Sequence, residues 1–375
     1  MDHSMISVVI PTYKEADSIQ EMIQRTASAL GSSGEEYELI VVDDNSGDGT
    51  ADLAEALSPG FPVRVLRRAG RQGLATAVVD GWGIARGDLL AVIDADLQHP
   101  PEILASLAKA LRGSNADVAI ASRYIEGGGT SDWELSRRLI SWGATHLAAS
   151  VLPLKLSAVS DPMSGMFMVR AAAIAGAKLS PLGYKILLEV LAKGRIENVV
   201  EVPYQFEERT SGSSKLGLRQ YGEYLAHLAH LSGSTGQIGA WVEYSLVGLT
   251  GAAVDLGLVY WGAGRAAWTA IWIVPVAVQM ALVWNFFWNQ QVTFPRRTPG
   301  SLAKGKSLAR FLLYEKICLP GAILNVCVTL LLAQGGMRLV VAAACGVLAD
   351  GVFNLLFKVP AIWRVWGLRR SAFRQ

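Results

Sequence analysis

The chain has 375 residues, of which 51% are hydrophobic and 18% are charged, with 14 prolines and a mean hydropathy of +0.31. This composition excludes a disordered chain and a collagen-like repeat, and it is more apolar than that of an ordinary soluble enzyme. The net charge of +2 is unevenly distributed, because residues 236–375 hold 13 Lys and Arg against 4 Asp and Glu, whereas residues 1–235 hold 21 against 28. An acidic first part therefore precedes a basic, apolar second part that contains 8 of the 11 tryptophans.

The first part alternates short apolar runs with segments of helical periodicity. Strands are predicted at residues 6–10, 39–42, 63–66, 89–93 and 118–121, and helices are predicted to begin near Asp17, Thr50, Leu74 and Pro101. This alternation predicts an α/β domain with a mostly parallel sheet covered by helices. Ligands of such sheets bind at the carboxyl ends of the strands, so the chemistry is expected there.

Polar clusters follow three of the predicted strands. They are Pro11-Thr12-Tyr13-Lys14-Glu15, Asp43-Asp44-Asn45-Ser46 and Asp94-Ala95-Asp96-Leu97-Gln98. A carboxylate at a strand end can bind the ribose or base of a nucleotide; the alternative for Asp43 and Asp44 is that they form the turn. Two carboxylates one residue apart, with a nearby amide, can hold a divalent cation that neutralises a diphosphate leaving group. No GxGxxG or P-loop motif is present, which disfavours a dehydrogenase and a P-loop NTPase.

Two amphipathic segments, residues 133–154 and 215–231, carry aromatic and leucine side chains together with basic residues. They are candidates for helices that lie on a bilayer surface. The alternative is that they are ordinary helices with one face in a protein core.

The second part contains four apolar windows long enough to span a bilayer, at about residues 240–261, 267–288, 309–332 and 338–361. Basic residues are concentrated between the second and third windows and in the C-terminal tail; they are Arg296, Arg297, Lys304, Lys306, Arg364, Arg369, Arg370 and Arg374. The bias of Lys and Arg towards cytoplasmic loops predicts that the first part and the C-terminus are both cytoplasmic. The N-terminus Met-Asp-His-Ser has no basic segment, so a signal peptide is not expected.

Six motifs in order resemble those of a family 2 glycosyltransferase of the dolichol-phosphate (polyprenyl-phosphate) mannose synthase type, over about residues 5–220. Besides the three strand-end clusters, they are Ser122-Arg123-Tyr124, Asp161-Pro162-Met163-Ser164-Gly165 and the segment from Arg209 to Lys215. The remaining spans resemble a GtrA-like transmembrane domain. The expected domains are a GT-A glycosyltransferase domain (1–212), an interfacial helix and linker (213–235) and an all-α four-span domain (236–375).

The resemblance implies a role for individual residues. Those expected to contact the nucleotide of GDP-mannose are Pro11, Tyr13, Glu15, Val41 and Asp43, with Ala95 and Arg123 also at the donor. Those expected to hold Mg²⁺ or Mn²⁺ against the diphosphate are Asp94, Asp96 and Gln98. Arg209 and Lys215 match a loop that closes over the nucleotide, and Arg123, Arg137 and Ser141 match the positions that meet the phosphate of the lipid acceptor. Arginine suits the last task because its fork binds a phosphate through two hydrogen bonds.

Some of these residues have alternative roles. Arg123 could be a surface charge and Lys215 a cation at the membrane surface. Asp161 is either a catalytic group or structural, because an anionic phosphate nucleophile hardly needs a base. His99, His227 and His230 are not expected to bind metal. Asp255 and Asp350 in the spans either lie near span ends, where they reach water or pair, or have a function: docking helices, binding the lipid phosphate or moving the product across the bilayer.

The predicted function is metal-dependent transfer of mannose from GDP-mannose to polyprenyl or dolichyl phosphate, with inversion. The expected partners are these two substrates and the lipid bilayer, without nucleic acid. The alternatives are glucosyl transfer from UDP-glucose, and a flippase or membrane-organising module.

Overall fold

The structure, a computed structural model, describes residues 5–130, 135–152, 156, 159–207, 218–235, 237–264, 269–293, 307–354 and 369–370. Contacts divide the chain into two units. The first consists of Met1–Thr145, Ala158–Leu231 and Leu368–Gln375, and the second of His146–Ser157 and Ser232–Gly367. The domain boundaries predicted at residues 212 and 235 stay a prediction.

The first unit contains an eight-stranded sheet, built mainly from apolar runs. Its strands are β1 Ile6–Thr12, β2 Tyr37–Asp43, β3 Val63–Arg67, β4 Leu89–Val92, β5 Val118–Ser122, β7 Phe167–Arg170, β8 Asn198–Pro203 and β10 Arg369–Arg370. Their order in the sheet is β10-β8-β5-β7-β4-β1-β2-β3, and the pairings are parallel except where β7 lies antiparallel between β4 and β5. The short strands β6 Gly129–Thr130 and β9 Gln205–Phe206 pair separately. All five predicted strands are confirmed.

Helices lie between and after these strands along the chain. They are α1 Ile19–Ser32, α2 Thr50–Ala56, α3 Leu74–Gly83, α4 Ile103–Arg112, α5 Leu135–Val151, α6 Ala171–Ile174, α7 Ile186–Lys193 and α8 Leu218–Ser234. The four predicted helix starts are confirmed to within two residues. Both faces of the central strands are buried, and β1 is buried at all seven positions, which explains why the strands appear in the sequence as continuous apolar runs.

The two amphipathic segments form helices α5 and α8. In α8 the side chains of Tyr224, His227, Leu228 and Leu231 are buried, whereas Leu225 is 53% exposed. The hydroxyl of Tyr224 donates to the carbonyl of Ala144 over 2.6 Å. One face of α8 thus packs in a protein core, and its contact with a bilayer stays a prediction.

The second unit is made of apolar helices. They are α9 Gln237–Gly264, α10 Ala270–Trp288 with a π-helical extension Asn289–Thr293, α11 Ser307–Gln334 and α12 Leu339–Phe353. Three stretches are long and apolar enough to cross a membrane: Trp241–Gly264, Ala270–Thr293 and Leu308–Gln334. They match three predicted spans, whereas the fourth extends past Asn354, outside the described residues.

Small and polar residues set the packing of these helices. Gly346 of α12 lies against the side chains of Asn325 and Thr329 of α11. Asn325 Nδ2 also donates to Asp255 Oδ2 on α9 over 3.1 Å, and Asp255 is 2% exposed. Close approach at glycine and interhelical hydrogen bonds are typical of membrane helices. Asp255 therefore docks helices, one of the roles considered for it.

Candidate active site

The carboxyl ends of neighbouring strands bring the predicted polar clusters to one edge of the sheet. β1 and β2 end together, because Thr12 pairs with Asp43 in the parallel register. The N–H of Asp44 donates to the carbonyl of Thr12 over 2.9 Å, and that of Ile93, after β4, donates to the carbonyl of Val9 over 3.2 Å. The motif after β4 therefore lies beside the motif after β1, as the sequence predicts.

The loop after β1 is held by hydroxyl groups that follow β2. The N–H of Lys14 donates to Ser46 Oγ over 2.9 Å, and that of Glu15 donates to Thr50 Oγ1 over 3.1 Å. Lys14 has a φ of 60°, a left-handed conformation that is uncommon outside glycine. The loop thereby presents Tyr13 and Glu15, both half-buried, at the edge where a nucleotide is predicted.

Three other predicted nucleotide contacts lie deeper. Pro11 is buried, and Val41 belongs to the hydrophobic core with no exposed surface. The carboxylate of Asp43 accepts hydrogen bonds from Ser46 Oγ (2.5 Å), the Ser46 N–H (3.0 Å) and Thr12 Oγ1 (3.2 Å). Asp43 thus organises the turn after β2. A direct contact of these three residues with a nucleotide stays a prediction.

The segment after β4 alternates between half-buried and buried side chains. The half-buried ones are Asp94, Asp96 and Gln98. The buried ones, each 3% exposed, are Ala95, Leu97 and His99. A φ of 59° at Leu97 and a 3.2 Å hydrogen bond from the Gln98 N–H to Asp96 Oδ1 make the turn tight. The three predicted metal ligands therefore lie on the accessible side of one short segment.

The donor set of this segment fits a hard divalent cation. Carboxylate and amide oxygens suit Mg²⁺ and Mn²⁺. Gly165 leaves room for the Asp94 carboxylate, since a Cβ there would lie 2.6 Å from Asp94 Oδ2. Within the described ranges no three His, Cys, Asp or Glu side chains form a metal-binding group. A cation held here would therefore complete its coordination with the Gln98 amide, substrate oxygens or water.

A buried ion pair lies next to this segment. Arg123 Nε donates to Asp161 Oδ2 over 2.7 Å and Nη2 donates to Oδ1 over 2.8 Å, while the Arg123 N–H donates to Oδ2 over 3.1 Å. Burial lowers the pKa of the Arg123 guanidinium, but its hydrogen bonds with Asp161 and the negative charge there outweigh burial and raise the pKa overall. Arg123 is therefore a fixed cation at the end of β5.

The predicted acceptor residues are partly brought together. Ser141 Oγ on α5 lies 2.8 Å from the Tyr124 hydroxyl, directly after Arg123. Arg137 lies on α5 as well, but its side chain is outside what the structure describes. Ser141 and Arg123 therefore flank one tyrosine, and their contact with a phosphate stays a prediction.

Sequence reasoning missed Lys185 as a site residue. Its Nζ donates to the carbonyl of Met163 over 2.8 Å. Burial and the positive charge of Arg123 lower the pKa of Lys185 to about 8, while the charges of Asp94 and Asp161 oppose the shift. Lys185 directly precedes α7, where the helix dipole disfavours a cation. The helix pattern in the sequence therefore gives no reason to expect a lysine at this position. Lys185 provides a second positive charge beside the segment that is predicted to bind a metal.

His99 forms the buried side of the same segment. Its ring stacks on Tyr204 with 5.4 Å between centroids and meets Phe206 edge-on at 5.2 Å. Burial and the charges of Arg123 and Lys185 lower the pKa of His99 to about 3, so the imidazole is neutral near pH 7. Its Nε2 lies 3.7 Å from Asp94 Oδ2. His99 thus packs beneath the side chains that are predicted to bind a metal.

Comparison with known proteins identifies both units. Residues 7–174 match Glycosyl transferase family 2, and residues 243–363 match the GtrA/DPMS transmembrane domain. A dolichol-phosphate mannosyltransferase of Pyrococcus furiosus is 39% identical over 348 residues, which cover 92% of this chain and 96% of that protein. The chain belongs to the family 2 glycosyltransferases that carry a GtrA/DPMS transmembrane domain.

One further relative and one solved structure cover a smaller share of this chain. An undecaprenyl-phosphate mannosyltransferase of Micrococcus luteus is 34% identical over 231 residues, covering 59% of this chain and 91% of that protein. The crystal structure of a glucosyl-3-phosphoglycerate synthase from Mycobacterium tuberculosis, with Mg²⁺ and UDP, is 22% identical with a TM-score of 0.49; it covers 62% of this chain and 80% of that one.

Two predicted site residues of this glycosyltransferase, Arg209 and Lys215, lie outside the described residues. His227 is described, and its Nε2 lies 2.9 Å from Glu189 Oε2, so it joins α8 to α7.

Proposed function

We propose that this glycosyltransferase transfers mannose from GDP-mannose to the phosphate of a polyprenol or dolichol, giving polyprenyl phosphate mannose and GDP. The observation that carries the proposal is the 39% identity with the dolichol-phosphate mannosyltransferase over nearly the full length of both chains. The strand-end site supports it, because the loops predicted to contact the nucleotide, the carboxylates and two fixed cations lie at one edge of the sheet.

The proposed step is an in-line displacement at the anomeric carbon. A phosphate oxygen of the acceptor attacks from the face opposite the diphosphate, the new carbon–oxygen bond forms as the bond to GDP breaks, and the configuration changes from α to β. A phosphate nucleophile is already anionic near neutral pH. Asp161 need not accept a proton, and its two oxygens already bind Arg123.

The chain's own residues orient the two substrates in this proposal. Tyr13 and Glu15 contact the nucleoside, and Asp94, Asp96 and Gln98 hold Mg²⁺ or Mn²⁺, which would supply positive charge to the departing diphosphate. Arg209 and Lys215 close over the nucleotide and add further positive charge. Arg123, with Arg137 and Ser141, orients the acceptor phosphate, and fixed charges of this kind need no reorganisation during the reaction.

We also propose four membrane spans with a cytoplasmic active site. Arg369–Arg370 pairs in parallel with β8 of the catalytic sheet, which supports placing the C-terminus on the same side as that sheet. An even number of spans must then separate them, which agrees with the four apolar windows of the sequence; the fourth window contains α12.

The direct test measures radiolabelled sugar in organic-extractable lipid, with the full chain in detergent, dolichyl or undecaprenyl phosphate, and Mn²⁺ with or without chelator. Label from GDP-mannose that the chelator removes is the expected result. Asp96→Ala should abolish turnover, whereas Asp52→Ala, an exposed carboxylate of α2, should leave it unchanged. Near-normal turnover of Asp96→Ala would contradict the metal assignment.

The same assay separates the alternatives. Label from UDP-glucose alone would leave the assignments of fold and acceptor unchanged but would make UDP-glucose the donor. No label from either donor would favour another donor sugar, or the flippase or membrane-organising module.

A further inference from the structure

A cation outside every predicted motif lies over the nucleotide edge of the site. The guanidinium carbon of Arg71 is 4.1 Å from the centroid of the Tyr13 ring, whereas Lys14 Nζ is 5.7 Å from it. At 4.1 Å a guanidinium and an aromatic ring attract each other. Tyr13 is one of the side chains proposed to contact the nucleoside, so Arg71 lies where the base of the donor is expected.

The loop that carries Arg71 is held by a buried carboxylate. Asp44, 3% exposed, accepts hydrogen bonds from the N–H groups of Gln72 (2.9 Å) and Gly73 (2.8 Å), the two residues that follow Arg71. It also accepts one from Arg68 Nη1 at 2.9 Å. Asp44 follows β2 directly, so the strand that places Asp43 also fixes the backbone beneath Arg71.

Arg71 differs from the two neighbouring arginines, because its side chain has no carboxylate partner among the residues that the structure describes. Arg67 pairs with Asp52 and Glu55, and Arg68 pairs with Asp44. The guanidinium of Arg71 is exposed, lies on a fixed loop, stacks on an aromatic ring and is not paired with an acid. Its N–H groups can therefore donate to a ligand that has two neighbouring hydrogen-bond acceptors.

We propose that Arg71 binds the O6/N7 edge of the guanine of the donor and so sets the preference for a guanosine diphosphate sugar over a uridine diphosphate sugar. This inference rests on the proposed function. The guanidinium fork matches the O6 and N7 acceptors of guanine with two hydrogen bonds. Uracil has no N7, so a uracil base cannot form this pair with Arg71. Lysine provides a single point charge, so Lys14 cannot replace the arginine. Asp44 is the positioning residue of this contact.

The test uses the full chain in detergent with Mn²⁺ and measures the dissociation constants of GDP, 7-deaza-GDP and UDP directly. 7-Deaza-GDP lacks only the N7 acceptor. The wild type should bind GDP about tenfold more tightly than 7-deaza-GDP. Arg71→Met keeps an aliphatic stem over Tyr13 but should remove this preference, and Arg71→Lys should not restore it. Arg67→Met, four residues before Arg71, should keep the wild-type ratio.

The outcomes separate this inference from the proposed function. If Arg71→Met keeps the wild-type ratio of GDP to 7-deaza-GDP, or if the wild type shows no preference between them, the inference is overturned. Because binding is read without turnover, a wild type that shows the preference but transfers no mannose would overturn the proposed function alone.

Discussion

Asp161 holds the side chain of Arg123 in one orientation, through hydrogen bonds of 2.7 and 2.8 Å to two guanidinium nitrogens, and neither residue is more than 9% exposed. Asp161 is itself fixed, because its N–H and that of Ser160 donate to the carboxylate of Glu201 on β8. The pair thus fixes the position of a positive charge at the end of β5. We therefore treat Asp161 as a positioning residue for Arg123.

The first prediction concerns the stability of this pair. Asp161→Asn should lower the free energy of unfolding by about 3–5 kcal/mol, because it leaves a buried guanidinium without its counter-charge. The measurement is thermal unfolding of the full chain in detergent. Replacing both partners together, Arg123→Met with Asp161→Leu, should recover most of the lost stability. Transfer to the lipid phosphate should nevertheless be abolished in this double variant, because the Arg123 charge is gone. A double variant as unstable as Asp161→Asn would contradict this explanation.

The second prediction concerns the room that Gly165 leaves for Asp94. Gly165→Ala would place a Cβ 2.6 Å from Asp94 Oδ2 and 3.0 Å from His99 Nε2, so the carboxylate must move. We expect at least about a tenfold rise in the Mn²⁺ concentration needed for half-maximal transfer, which corresponds to loss of about 1.4 kcal/mol of binding.

Gly83→Ala is the matched control for that experiment, since a Cβ at Gly83 meets nothing within 4 Å. It should leave the Mn²⁺ dependence as in the wild type. An unchanged dependence in Gly165→Ala would instead mean that Asp94 does not ligate the metal.

The sequence predicts the strand ends well because a fully buried parallel strand shows as an unbroken apolar run. It predicts Asp94 and Asp96 for the same reason, since both follow such a run. It does not distinguish Asp43 from Asp44, which are adjacent acids with different partners: Asp43 accepts from Ser46 of its own turn, whereas Asp44 accepts from Gly73 in another loop.

Residues brought in by tertiary contacts escape sequence reasoning. Strand β7 is antiparallel and four residues long, too short for its direction to be predicted from periodicity. Lys185 reaches Met163 across 22 residues, and Arg71 reaches Tyr13 from a loop after β3. Neither arrangement has a local pattern, because both depend on which strands lie side by side.

The third prediction concerns acid stability at Glu189, which is fully buried between α7 and α8. Burial raises the pKa of its carboxyl, but hydrogen bonds from His227 and Lys193 and from the N–H of Ser180 outweigh burial and lower the pKa to about 2. A pKa that is lower in the folded than in the unfolded chain stabilises the fold above the unfolded value of about 4.5. This stabilisation is lost as the pH falls from there towards 2.

The measurement compares the unfolding free energy of the wild type and Glu189→Gln between about pH 7 and pH 3. The wild type should be more stable near pH 7 by a few kcal/mol, and the difference should shrink with acidification below about pH 4.5. Glu36→Gln, at an exposed position, should show no such convergence. A difference that is constant with pH would mean that the glutamate charge does not stabilise the fold.

The last prediction concerns two glycines on the same helix of the transmembrane domain. A Cβ at Gly346 would overlap the side chains of Asn325 and Thr329 and lie 2.7 Å from the Asn325 carbonyl oxygen, whereas a Cβ at Gly351 meets nothing within 4 Å. Gly346→Ala should therefore destabilise the domain by about 1–3 kcal/mol, as overpacking does. Gly351→Ala should leave stability unchanged or raise it by up to about 1 kcal/mol, because alanine favours the helix.

Thermal unfolding of the full chain in one detergent compares both variants with the wild type. Asn325 also holds Asp255, so the overlap at Gly346 should loosen the contact of α9 with α11 as well as that of α11 with α12. Asn325→Ala removes the obstructing amide. The double variant Asn325→Ala with Gly346→Ala should therefore lose less stability than the sum of the losses in the two single variants. Equal melting temperatures for Gly346→Ala and Gly351→Ala would show that the close approach of α11 and α12 does not limit stability.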